Sequence, residues 1–168
     1  NAFQCGLGMV HQHFMLVDAL TVWENVVIGN EPGKFSINKK ETIKKVQELS
    51  DKYHFDLNAE AKVADLSIGM KQRAEILKTL YRGAEILILD EPTSFLDIRH
   101  KLELLAILKR LVLEKQIAVI ISMHELDLAQ KLSDRVVCVR GDRIDKCGTP
   151  DEIFTDAYIE QLYQVSCG

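Results

Sequence analysis

Two stretches of this sequence carry residue types that could handle a phosphate and the water that attacks it. In the first, the apolar run Ile86-Leu87-Ile88-Leu89 ends in Asp90-Glu91-Pro92-Thr93. Acids at the carboxyl end of a buried parallel strand sit in the crevice where open α/β sheets bind ligands. There Asp90 could hold Mg²⁺, usually through water, and Glu91 could polarise an attacking water as general base. Taken alone, a strand ending in a solvated acidic turn would read the same way. The second stretch, Leu66-Ser67-Ile68-Gly69-Met70-Lys71-Gln72-Arg73, puts a serine at a helix start and a glycine inside the first turn. Free amides and the positive helix end form an anion site; Gly69 has no side chain to keep a phosphate away, and the Ser67 hydroxyl adds a donor. Helix capping is the commoner use of such a serine, so the pattern gains meaning from the Asp-Glu strand that follows it.

These residues need a scaffold, and the hydrophobic pattern supplies one. Leu7 to His11 reads as a short strand, Thr21 to Gly29 as a short helix, and Pro32-Gly33 as a loop. Asn38 can cap a helix running to about Tyr53, with Ile43, Val46, Leu49 and Tyr53 on one face. Residues 21–64 therefore read as a small helical subdomain, with 1–20 and 65–148 as catalytic core and 149–168 as terminal helices. Ser67 opens a helix whose buried side carries Met70, Ala74, Leu77 and Tyr81. Residues 85–90 and 118–123 read as strands buried on both faces. Between them, a helix from about Ile98 to Glu114 carries Leu102, Leu105, Leu108 and Val112 on its apolar stripe. After a helix over 125–132, a hairpin turns at Gly141-Asp142, and two short helices close the chain. The alternation predicts an α/β fold, a mostly parallel sheet with flanking helices.

Composition narrows the classes. A chain of 168 residues with 47% hydrophobic and 27% charged residues can bury one core. Its net charge of −4 gives no sign of a nucleic-acid partner. The pairs Lys39-Lys40 and Lys44-Lys45 read as a solvated helix face. Cys5, Cys138, Cys147 and Cys167 form no metal-ligand spacing and read as reduced thiols. The longest apolar run, residues 117–121, falls well short of the roughly 20 residues that span a bilayer, so direct membrane insertion is not expected.

With these motifs in hand, the chain resembles the ATP-binding cassette (ABC) ATPases. Leu66 to Arg73 resembles their signature motif, Ile86 to Glu91 their Walker B strand with its catalytic glutamate, and Ser94-Phe95-Leu96-Asp97 their D-loop. His124 resembles the switch histidine that contacts the γ-phosphate, and Gln12 the Q-loop glutamine that senses Mg²⁺ and the transmembrane partner. The resemblance implies a RecA-like partial sheet with the helical subdomain inserted before the signature motif. It implies Glu91 and His124 as catalytic residues, and Gln12, Ser67, Gly69, Gln72 and Asp97 as nucleotide-binding ones. Asp90 and Gln12 are implied for Mg²⁺. ATP and Mg²⁺ are the implied cofactors; permease subunits and a second ABC ATPase, identical or not, are the implied partners. The implied location is cytoplasmic, at the inner face of the cell membrane. The importer reading is favoured by the helical insert; a soluble non-transport ABC ATPase, or a silent fragment that only associates, are the alternatives. Up to about Thr93 the sequence is similar to simple-sugar and nucleoside importer ATPases, and from Ser94 onward to those of iron-siderophore importers.

One family element does not occur. No Gly-x-x-x-x-Gly-Lys-Ser/Thr loop is found, the motif that wraps phosphates in backbone amides. Gly29-Asn30-Glu31-Pro32-Gly33-Lys34-Phe35 is one residue short between its glycines, puts Phe35 where Mg²⁺ needs a hydroxyl, and contains a proline. The chain opens within a strand and without methionine, as a fragment would. Weak ATP binding by the chain alone is expected, and exposed strand edges are expected to favour association with another chain.

Overall fold

Three strands with β-branched and leucine-rich sequence form a parallel sheet in the order β1-β2-β3: β1 (Leu7–Val10), β2 (Ile86–Asp90) and β3 (Ala118–Ser122). They belong to a computed structural model that describes residues 6–30 and 38–163. Cys5, Cys167 and most of the Gly29–Phe35 stretch lie outside the described residues. The chain packs as two compact units, Asn1–Ser122 and Met123–Gly168.

In the first unit, helices start where the sequence places capping side chains. Thr21 and Glu24 form a reciprocal capping box at α1 (Val22–Val27). Asn38 caps α2 (Lys39–Lys52), and Ser67 caps α3 (Ile68–Tyr81). Asp97 caps α4 (Ile98–Lys115), which ends at Gln116 in a left-handed conformation. Helix α3 is the hub: it packs against α1, α2, α4 and β1, and is buried at every position from Gln72 to Leu77.

The close approach of α3 to β1 depends on Gly8. A Cβ there would lie 2.1 Å from Thr79 Cγ2 and 2.8 Å from Ala84 Cβ. Because side chains alternate along a strand, α3 covers the face that also carries Val10, Leu87 and Leu89, all of them buried.

The other sheet face corrects an expectation. Strands 85–90 and 118–123 read as buried on both sides, yet β2 alternates buried with half-buried and β3 alternates half-buried with exposed. Met9, Ile88 and Ile120 stand in register across the sheet, with Met9 49% and Ile120 56% exposed. An apolar run has no period to show which face is covered, so only packing decides it. Helix stripes shift for a related reason. The fully buried row of α2 is Thr42-Val46-Ser50, with Ile43 and Leu49 half-buried. Ser50 fits inside because its hydroxyl is 3.2 Å from the Leu57 carbonyl. In α4 the buried residues are Leu104, Leu105, Ile107, Leu108 and Leu111, while Leu102 is exposed.

The second unit contains α5 (Leu126–Leu132) and an antiparallel hairpin of β4 (Val136–Arg140) and β5 (Arg143–Gly148). Its turn uses Gly141 at φ 64°. Helices α6 (Pro150–Ile153) and α7 (Asp156–Tyr163) follow, with Ile153 fully buried. The Tyr158 hydroxyl donates to Asp145 Oδ2 at 2.7 Å.

Two outcomes follow from this packing. Gly8→Ala should lower unfolding stability by about 3 kcal/mol through overpacking, read by urea titration, and Thr79→Ala in the same chain should recover part of the loss. The strip of exposed Met9 and Ile120 with half-buried Ile88 between them should make the chain associate, so light scattering should give a mass above the 19.1 kDa monomer, and Ile120→Glu should bring it down.

Candidate functional site

Strand register brings the first group of residues together. β1 and β2 run parallel with Val10 opposite Leu89, so Gln12 and Glu91 each lie two residues past matched positions. The Gln12 amide Nε2 donates to Glu91 Oε2 at 3.0 Å. Ser94 Oγ donates to the same oxygen at 2.9 Å. Ser122, opposite Asp90 in the ladder, completes the arrangement: its hydroxyl donates to Asp90 Oδ1 at 2.7 Å and accepts from the Glu91 N–H at 2.9 Å. One serine thus orients the Asp90 carboxylate and holds the Glu91 backbone amide.

Glu91 adopts φ 44°, in the left-handed region that favours glycine. Holding a side chain there costs about 1–2 kcal/mol, and such strain gathers at functional positions. The turn directs the Glu91 carboxylate away from the strand line and toward Gln12 and Ser94. Asp90, Gln12 and Ser122 offer carboxylate, amide and hydroxyl oxygens, which suits a hard cation such as Mg²⁺. Among the described residues no three His, Cys, Asp or Glu side chains group closely enough to hold a metal by themselves. A Mg²⁺ at this position would take its remaining ligands from water and phosphate, as is usual for that ion.

The second group gathers at the amino ends of α3 and α4. Ser67 Oγ accepts from the Met70 N–H at 3.3 Å, the ordinary capping bond, and still has a proton to donate. Gly69 serves a purpose not foreseen from sequence. A Cβ there would come within 3.0 Å of His100 Cδ2, so the missing side chain makes room for a histidine of the same chain. Asp97 is committed as well: Oδ1 accepts from the His100 N–H at 3.0 Å, and Oδ2 lies 2.8 Å from His100 Nδ1. The backbone N–H and then the ring of His100 hold the Asp97 carboxyl below its ordinary pKa. Gln72 is buried, 4% exposed, with Nε2 lacking a hydrogen-bond partner among the described residues. It therefore faces the interior, whereas Ser67, implied with it as nucleotide-binding, is exposed. His124 is exposed in the turn between β3 and α5, within the second unit.

Sequence reasoning missed Ser122 and His100, and named Ser94 only as part of the D-loop-like motif. Ser122 had a signal, a hydroxyl ending an apolar strand beside an acid-ending one. His100 had none, because its contact with Gly69 joins two different helices.

Comparison with known proteins places the chain in a family. The family model described as ABC transporter matches residues 1–94. The guanosine import ATP-binding protein NupO of Bacillus subtilis is 52% identical over 141 residues, covering 83% of this chain and 28% of that protein. That alignment runs on past residue 94, where the resemblance was expected to change type. CbiO1 of Clostridium perfringens, part of the ABC transporter complex cbiONQ, superposes with a TM-score of 0.76 at 26% identity, covering 94% of this chain and 62% of that one. A dimeric ATP-binding cassette in a post-hydrolysis state with ADP and Pi gives 0.68, also at 26% identity, covering 86% and 62%. The chain thus spans under a third of the importer relative's length.

The strain at position 91 can be measured directly. Glu91→Gly and Glu91→Ala both remove the carboxylate, so their difference isolates the backbone. The glycine variant should be more stable by about 1 kcal/mol in chemical unfolding.

Proposed function

The chain belongs to the ABC transporter family, and we propose that it is the hydrolytic portion of an ATP-binding subunit that drives solute import through a transmembrane permease. The hydrogen-bonded cluster of Gln12, Glu91 and Ser94 beside Asp90 carries this reading. It joins a water-activating acid, a metal-directing acid and an amide reporter at the carboxyl ends of adjacent parallel strands. The importer assignment draws on the guanosine-import relative. Among the described residues no helix is long and apolar enough to cross a membrane.

In this reading Glu91 accepts the proton of the attacking water. Asp90 and Gln12 would hold Mg²⁺, and Gln12 also donates to Glu91. Bound Mg²⁺ neutralises charge on the transferring phosphate. Ser67 and the first turn of α3 serve a nucleotide held by a second ATPase subunit, and His124 meets its own subunit's γ-phosphate. Gly69 and Asp97 act one step back, through His100. The chain's location is then the cytoplasmic side of the membrane, bound to the permease. Which solute passes is decided outside these residues.

The sequence contains no phosphate-wrapping loop, so calorimetry on the 168-residue chain with Mg·ATP should show no saturable micromolar binding. Joining the chain to a strand–loop–helix segment bearing Gly-x-x-x-x-Gly-Lys-Ser/Thr should restore hydrolysis. Glu91→Gln in that joined protein should then reduce turnover by about 10²–10⁴-fold. Undiminished turnover would remove Glu91 from the role of general base.

A further inference from the structure

A serine hydroxyl has one proton and two lone pairs, and at Ser122 the neighbours decide where the proton goes. Ser122 stands opposite Asp90 in the β2–β3 ladder, so the two side chains leave the same face of the sheet. The Glu91 N–H can only donate, and it takes a lone pair of Ser122 Oγ at 2.9 Å. The proton is left for Asp90 Oδ1 at 2.7 Å, the short spacing usual where a hydroxyl meets a carboxylate. Ser122 is exposed, so these two bonds, and not packing, hold the hydroxyl in place. The Asp90 carboxylate is thereby made unequal: Oδ1 is committed to Ser122, and Oδ2 is the oxygen that remains for a cation. Gln12 can offer only its amide oxygen, since its Nε2 is given to Glu91 at 3.0 Å.

We infer that Ser122 determines which divalent cation this site accepts: by occupying Oδ1 it restricts Asp90 to contact through one oxygen, and so favours Mg²⁺ over Ca²⁺. The two ions ask for different shells. Ca²⁺ gathers about six to eight oxygens in a flexible arrangement and accepts a carboxylate through both of its oxygens. Mg²⁺ needs a near-ideal octahedron, keeps several waters, and is served by one or two carboxylates. One oxygen from Asp90 and one from Gln12 meet the needs of the smaller ion and leave the larger short of ligands. Among the described residues no cluster of three His, Cys, Asp or Glu supplies the oxygens that a larger shell would need. Hydrogen bonds behind a ligating carboxylate fix its direction and tune the ion it holds. Here that bond is itself fixed by a backbone amide, so the choice is built into the turn that carries Glu91.

The inference rests on the placement of Asp90 and Gln12 at the metal position proposed above, and its test separates the two. The 168-residue chain would be titrated with MgCl₂ or CaCl₂, without nucleotide. Nuclear magnetic resonance would follow the backbone amides of Asp90 and Glu91 and the side-chain amide of Gln12. Both ions should move these signals, and Asp90→Asn should abolish the movement. In Ser122→Ala, Mg²⁺ should bind about 10-fold more weakly, while Ca²⁺ should bind as well as before or better. The ratio of the two affinities therefore falls by about 10-fold or more. Ser122→Thr keeps the hydroxyl and should keep the ratio. If the alanine variant does not fold, Ser122→Val, which matches threonine in shape but lacks its hydroxyl, is read in the same way. Hydrogen exchange at the Glu91 amide should quicken in the alanine and valine variants and not in the threonine one. Equal weakening of both ions on loss of the hydroxyl overturns the inference and leaves the metal position standing. Signals that respond to neither ion in the parent chain overturn both.

Discussion

The fold turns on the contact between β1 and α3, which pass so closely that only a residue without a Cβ fits at Gly8. Thr79 supplies the opposing methyl, and its hydroxyl bonds back to the Glu75 carbonyl at 2.9 Å, so the methyl is turned toward the strand. Because α3 sits this near, the loop leaving β1 comes within reach of Lys71, Glu75 and Lys78. Because β1 is thereby placed beside β2, Gln12 comes within reach of Glu91. A side chain of even one methyl at position 8 would push the helix away and loosen both relations together.

The cluster of Gln12, Asp90, Glu91, Ser94 and Ser122 is held by directed hydrogen bonds more than by burial. Ser122 orients Asp90 and pins the Glu91 amide; Gln12 and Ser94 converge on one oxygen of Glu91. Glu91 keeps a left-handed backbone that its side chain disfavours. The surrounding bonds offset that cost of about 1–2 kcal/mol. Charge elsewhere is arranged more loosely. Arg73 of α3 donates to the Phe55 carbonyl and pairs with Glu103 of α4, tying the helical insert to the core. By contrast, the i,i+4 pair Lys45–Glu41 on α2 is exposed and of small consequence for stability.

Much of the site was legible before any coordinates. Asp90 and Glu91 end an apolar run, Ser67 and Asp97 stand at helix starts, and the structure agrees on each of these local facts. Purposes that join distant segments were not legible. Gly69 read as open space for a phosphate; that a Cβ there would also meet His100 of another helix could not be read from the sequence. Gln72 was implied as a nucleotide-binding residue by the resemblance alone, and its helical position buries it. Leu102 read as core because it shares a period with Leu105 and Leu108, but the covered face of α4 is centred on Leu104, Leu108 and Leu111.

The division has a physical cause. A cap, a turn glycine or a strand ending in acids is decided by groups within a few residues of one another, and the sequence by itself therefore determined the helix starts, the Gly141 turn, the order of the elements and the chemistry-bearing side chains. Which face of a helix is covered, which side of the sheet is left open, and whether a glycine receives a ligand or a neighbour depend on segments far apart in the chain. Those were decided only when β1 met α3 and the amino ends of α3 and α4 came side by side, since steric exclusion and hydrogen bonding act over a few ångströms of space, whatever the separation along the chain.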